Sequence, residues 1–266
     1  MIQIEHNIDG VVYMTSPNIS VPHAFTTRFG GVSRGVYASL NLGLNYGDDD
    51  DNVKENYSRI RKAVGFEDGG FACSRQVHGA FVKTVSLADS AKLPMPPLDN
   101  ADGLITRDTG VTLVIFVADC VPILLYDPIA YVIGAVHSGW RGTGLDIVGA
   151  AVRKMADEFG SLPSNIHAAI GPSISKCCYE TGIDVADAMH CALGSAAEHC
   201  VFTCGDKYFV DLKEANALLL KLAGVHDISV SDECTSCCHD KYWSYRRTNT
   251  LRGSQAAMIQ LKRKDT

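Results

Sequence analysis

The stretch 111–126, VTLVIFVADCVPILLY, constrains the fold more than any other part of the chain. It is nearly long enough to cross a membrane as a helix, but Asp119 and Pro122 interrupt it. A charge and a missing backbone N–H near the middle favour two short buried strands. Neither half alternates with polar residues, the pattern of a strand covered on both faces. Asp127-Pro128 then turns the chain into AYVIGAV, a third apolar run.

Helical patterns are present. DDDDNVKENYSRIRKAVGF places Val53, Tyr57, Ile60 and Val64 at helical spacing, behind an acidic start that suits the helix dipole. The Asp run lacks the alternating ligands and distal Glu of a calcium loop, so it reads as a solvated helix start. After Gly142, Thr143 and Asp146 stand in capping-box relation, with Thr143 as N-cap. Leu145, Val148, Val152, Met155 and Phe159 then line one face, and Gly160 ends the helix. VADAMHCAL and LKEANALLLKLAGV are further helical segments, FACSRQVHGAFVKTV reads as a strand, and the tail reads as a loop before a last strand. With no repeat and no low-complexity linker, residues 1–266 are expected to form one α/β (α+β) domain, a mixed β-sheet packed between helices.

A net charge of −6 and the lack of a long basic run argue against a nucleic-acid surface. MIQIEHNIDG has no basic leader followed by an apolar segment, so a cytoplasmic protein without a membrane anchor is expected. In that setting the ten cysteines are expected to be reduced. The adjacent pairs Cys177-Cys178 and Cys237-Cys238 suit a disulfide framework poorly, because neighbouring side chains diverge.

Three segments share one arrangement, an apolar strand delivering a metal-competent side chain to a tight turn. They are QVHG with His78, VADC with Cys120 and AVHSG with His137. Two imidazoles and one thiolate suit zinc, and three protein ligands leave a fourth position for water or substrate. A single thiolate leaves net positive charge on the ion, which favours Lewis-acid chemistry. Spacing alone also allows ordinary strand-end histidines and a small buried thiol. The rival candidate, CTSCCHD from 234 to 240, resembles half of a structural zinc site. It has no second C-x-x-C at the usual distance, although Cys200 and Cys204 could be brought near, and free thiols are the expectation there.

Arg141 stands between Gly139 and Gly142 at the expected start of a helix, where free N–H groups attract anions. GWRGTG is not a P-loop, since the Lys-Ser/Thr ending is absent. Arg28 in TTRFGG, Asn41 in SLNLG, and Arg246 and Arg247 in SYRR occupy loops suited to phosphate or sugar hydroxyls.

Taken together, HAFTTRFGGVSRGVYASLNLG, RQVHG, ADGLIT, ADCVPILLYD, AVHSGWRGT, AIGPSISKCCYE and CTSCCHDKYWSYRR resemble the YfiH family. Its members are called laccase-like multicopper polyphenol oxidases or purine nucleoside phosphorylases. The resemblance runs in family order over nearly the whole chain. It implies a YfiH-like α/β domain and a zinc held by His78, Cys120 and His137, with Cu²⁺ able to occupy the same ligands. It further implies phosphorolysis of adenosine, inosine or methylthioadenosine to base and ribose 1-phosphate, with adenosine deamination beside it. Phosphate would be held by Arg28 and Arg141, and Asn41, Glu180 and Arg246 are secondary substrate contacts. The chain departs from the family pattern at Thr181, and after SYRR, where it reads Thr248-Asn249-Thr250.

Other functions compete. A multicopper oxidase needs clustered H-x-H pairs, whereas nine histidines are scattered here, so polyphenol oxidation would be secondary. Cys120 with His78 or His137 as base would instead suit a cysteine-type amidohydrolase acting on peptidoglycan precursors. A non-catalytic interaction protein would show no nucleoside turnover.

Overall fold

The apolar runs lack alternation because each strand is sandwiched. The computed structural model describes residues 3–44, 47–93 and 96–263, and stacks two six-stranded mixed sheets between helices. The first sheet runs Ile4–Ile8, Val11–Thr15, His23–Thr26, Gln255–Gln260, Val111–Val117, Gly70–Ala72. The second runs Asp227–Val230, His167–Ile170, Val121–Asp127, Val132–Ser138, Gly103–Thr106, Val82–Thr84.

Along Val111–Val117, Leu113 and Ile115 face the second sheet, where they meet Leu124, Ile133 and Ala135. Val114 faces the other way, onto Tyr57 and Ile60 of helix α1, Asp50–Val64. Along Val121–Asp127, Ile123 and Leu125 point outward to Val148, Val152 and Met155 of helix α3, Ile147–Phe159. Each such aliphatic side chain contributes about 1.5–3 kcal/mol when fully buried. The two halves of the 111–126 run lie in different sheets, separated at Asp119.

The expected α/β class holds, but in place of one mixed sheet the described residues form two six-stranded sheets and two smaller ones of three and two strands. The crossing from one sheet to the other is the turn Ala118-Asp119-Cys120, and Asp119 takes a left-handed backbone at φ 88° to make it. This turn places Cys120 directly before Val121–Asp127 of the second sheet. Among the described residues no helix is long and apolar enough to cross a membrane.

Two local expectations are corrected. The helix expected to start at Thr143 is two helices, α2 at Trp140–Gly144 and α3. Asp146 itself caps α3, at φ 55°, its carboxylate accepting from the Gly149 N–H, and Leu145 at the joint is exposed rather than facial. Thr143 is buried instead, its hydroxyl donating to the Gly139 carbonyl at 3.0 Å and standing 2.9 Å from the Ser138 hydroxyl. The segment 71–85 is likewise three short strands rather than one, and His78 lies in the loop between Ser74–Arg75 and Val82–Thr84 at φ 61°.

Candidate metal centre and its cavity

The loop bearing His78 has no ladder to pair with, so its backbone needs other acceptors. Asp102, fully buried, supplies them. Its carboxylate accepts from the N–H groups of Val77 at 3.1 Å, His78 at 2.9 Å and Gly79 at 2.8 Å. The same carboxylate stands 2.9 Å from Nδ1 of His137, and the Asp102 carbonyl accepts from the His137 N–H at 2.7 Å. An ionised carboxylate can only accept, so Nδ1 carries the proton and His137 turns its Nε2 lone pair away from Asp102. Burial would raise the Asp102 carboxyl, but His137 and the converging N–H groups hold it below the ordinary carboxylate range.

Three chain segments thereby meet. Donor atoms of His78, Cys120 and His137 all lie within 4.8 Å of one another. Cys120 Sγ is 3.8 Å from His78 Nε2, and the two imidazole rings cross edge to face with centroids 4.8 Å apart. Burial works against a charged Cys120, yet the facing imidazoles outweigh it and hold the thiol down at about 6. Burial likewise opposes charge on His137, but Cys120 and Asp102 together lift it to about 9. A thiolate beside two imidazoles, one oriented by a buried carboxylate, is a donor set that fits a single zinc or copper ion.

Gly139 lets the set close. A Cβ there would stand 2.8 Å from His78 Cδ2 and 3.3 Å from Cys120 Sγ. Its backbone, at φ −73° and ψ 171°, would suit any residue, so what the site requires is the missing side chain. The glycine and tryptophan of HSGWRG therefore have different duties: one admits the ligands, the other begins the wall.

That wall belongs to a cavity of about 720 Å³, with His78, Cys120 and His137 in its lining. The volume is in the range of small-molecule sites. Phe116, Trp140, Tyr179 and Tyr245 give it aromatic surface, and Arg141 and Arg246 give it positive charge. Arg141 lies 4.2 Å above the Trp140 ring. Helix α2 is only five residues long, so the anion attraction expected from a helix start rests on the Arg141 side chain instead. Arg246 donates to the carbonyls of Cys178 at 2.9 Å and Glu180 at 3.0 Å, and crosses the Tyr179 ring.

The other expected contacts stand apart. Arg28 is outside the cavity lining, its guanidinium donating to the Ala38 and His239 carbonyls and lying over Trp243. Asn41 is fully buried, bonded to Asp48 and accepting from Ser254 N–H. The Glu180 side chain pairs with Lys207 at 2.9 Å. All three hold loops rather than face the cavity. Conversely, composition and spacing gave no cue to Asp102 or Asp119, although the motifs ADG and ADC contain them. Asp119 accepts from the Thr235 hydroxyl at 2.6 Å, the Ser244 hydroxyl at 3.0 Å and the Arg246 N–H at 2.7 Å. It thereby ties the Cys120 turn to the segment that delivers Arg246.

Fold and site together define a mixed α/β protein with a compact His/Cys donor set in the lining of a small-molecule cavity. Residues 22–262 match the family described as multi-copper polyphenol oxidoreductase laccase, and the chain belongs to this enzyme family, which is that of YfiH. A Deinococcus radiodurans protein named purine nucleoside phosphorylase is 42% identical over 257 residues, 96% of this chain and 95% of its own length. The crystal structure of YlmD from Geobacillus stearothermophilus aligns with a TM-score of 0.91 at 35% identity, covering 98% of this chain and 100% of that one. That of the Bacillus licheniformis hypothetical protein YfiH aligns with a TM-score of 0.90 at 31% identity, covering 97% and 99%.

Proposed function

We propose that this chain is a purine nucleoside phosphorylase, converting adenosine, inosine or methylthioadenosine and phosphate to free base and ribose 1-phosphate, with adenosine deamination at the same site. The observation that carries it is the meeting of His78, Cys120 and His137 in a cavity that also presents arginines and aromatic rings. The names of the relatives in Deinococcus and Geobacillus point the same way.

Zinc would be held by His78, Cys120 and His137, with copper as an alternative loading, and when bound it supplies Lewis-acid polarisation at the position the protein leaves open. Every other contribution comes from the chain. Arg246 commits two of its five N–H donors to carbonyls and, with Arg141, retains donors for a phosphate oxyanion. Aligned on the anomeric carbon, a phosphate oxygen attacks as the carbon–nitrogen bond breaks, and the base leaves with the electron pair and takes up a proton. Holding the two reactants in line is worth several kcal/mol of the barrier. Tyr179, Trp140 and Phe116 offer faces to the purine. Burial pushes the Tyr179 phenol up, so it remains a hydrogen-bond donor throughout the working range.

The test uses pure zinc-loaded protein with adenosine and with inosine, each with and without phosphate. Free base that appears only with phosphate is the expected result, and ammonia from adenosine reports the deamination. Unchanged turnover in His137→Ala would refute the assigned site. Alkylation separates the cysteine-hydrolase alternative, because a nucleophilic Cys120 is modified readily with no loss of metal.

A further inference from the structure

Ten cysteines leave nine besides Cys120, and four of these converge far from chance. Sγ atoms of Cys177, Cys178, Cys234 and Cys237 all lie within 4.8 Å of one another. Cys177 and Cys178 are 3.6 and 3.4 Å from Cys237, and 3.8 Å from each other. Four sulfurs bound at about 2.3 Å to one tetrahedral ion stand about 3.8 Å apart. The observed separations are therefore those of sulfurs around a single ion. They are too long for a disulfide, whose sulfurs lie about 2 Å apart.

The loops are built for this geometry. Cys234-Thr235-Ser236-Cys237 forms a knuckle in which the N–H groups of Ser236 and Cys237 turn on the Cys234 sulfur, as does that of Ser175 at 3.3 Å. Three N–H groups directed at one sulfur favour a thiolate there. Bridges between Ser173 and Cys234, and from Thr235 N–H to the Ser173 carbonyl at 3.1 Å, set the two loops side by side. Four thiolates around Zn²⁺ carry net negative charge, and cations surround them. Lys213, buried and donating to the Glu233 carbonyl at 2.9 Å, lies within electrostatic reach of Cys234 and Cys177. Arg246 donates to the Cys178 carbonyl and Arg247 to that of Ser236, at 2.9 and 2.8 Å.

We propose that Cys177, Cys178, Cys234 and Cys237 form a second metal centre, a closed tetrathiolate zinc site that clamps the loop 171–180 to the segment 231–247. Free thiols are the sequence expectation here, with Cys200 and Cys204 the only cysteines placed within reach of the Cys234 knuckle; both lie outside the cluster, and the adjacent pair Cys177-Cys178 meets it instead. With four protein ligands the ion has no open position, so its role is structural. The ligands are joined across 60 residues of chain, and the clamped segments carry Ile174, Tyr179, Tyr245 and Arg246 to the cavity. Zinc here sets one wall of the first site without taking part in its chemistry. The proposal stands whether or not nucleosides are the substrates.

The test is zinc counting combined with X-ray absorption at the zinc edge on the full-length protein, purified under reducing conditions without chelator. In the His78→Ala/His137→Ala variant, about one zinc per chain is expected, in a shell of four sulfurs at about 2.3 Å. Cys177→Ser/Cys237→Ser should lose that equivalent and melt at lower temperature. The unmutated chain loaded with cobalt gives a reading that needs no stable variant, namely thiolate-to-cobalt charge-transfer absorption of tetrathiolate strength. Four freely titrating thiols in zinc-replete protein, a disulfide among these cysteines found by mass spectrometry, or iron in place of zinc would each overturn the proposal.

Discussion

Replacing Gly139 with alanine isolates one steric requirement of the proposed centre. The backbone at φ −73° and ψ 171° accepts alanine without strain, and the substitution also narrows the unfolded ensemble. Global stability should therefore hold or rise slightly. The added Cβ, however, would stand 2.8 Å from His78 Cδ2, against an ordinary carbon contact of about 3.5–4.0 Å. The His78 ring must retreat by about 0.8 Å, and Cys120 Sγ, at 3.3 Å, by a few tenths. Zinc–ligand distances tolerate only about 0.2 Å. We expect zinc affinity and turnover to fall by about 10–100-fold, comparable to the loss of a residue that orients a ligand. Competitive chelator titration and nucleoside turnover on the same preparation measure both, with thermal melting as the control. A Gly139→Ala protein of unchanged fold that keeps full zinc affinity and turnover would refute the placement of His78 as a ligand.

Asp102→Asn keeps the shape but removes the charge that fixes the His137 proton and gathers three N–H groups. Zinc affinity should drop about 10–100-fold, read by the same titration, and an unaltered affinity would count against the oriented imidazole. Chelated protein should lose Cys120 to iodoacetamide quickly near pH 7, since the thiol sits at about 6, and zinc should protect it, as peptide mapping would show. His23 is buried with its ring nitrogens committed to Ser16 N–H at 2.7 Å and the Val21 carbonyl at 2.8 Å, and burial lowers it to about 4. The fold thus prefers the neutral ring: its contribution is whole above about 6.5 and is lost as pH falls toward about 4, up to about 3 kcal/mol. Urea unfolding between pH 7 and 4 should show this loss, and His23→Gln should flatten it.

Much of the architecture was legible because it is local. Burial on both faces leaves continuous apolar runs, and Val53, Tyr57 and Ile60 mark α1 by spacing alone. The strand-to-turn pattern of QVHG, VADC and AVHSG marked His78, Cys120 and His137 as candidate ligands, and the family motifs carried the YfiH resemblance that implied the same three. The start of α3 was misplaced because Asp146 adopts a left-handed backbone, which no periodicity signals. Sequence does not show that Arg28 lies outside the cavity lining and gives two of its donors to the Ala38 and His239 carbonyls.

By itself, then, the order of residues determined the α/β class, helix α1 and the buried strands on either side of Asp119, through periodicity, turn chemistry and the breaks at Asp119 and Pro122. Tertiary structure alone decided that Asp102 gathers the His78 loop and His137, that Gly139 leaves room for the donors, and that Cys177 and Cys178 meet Cys234 and Cys237. The reason is physical. Element formation answers to neighbours a few residues away, whereas these sites answer to the demand that every buried polar group find a partner, wherever along the chain that partner lies.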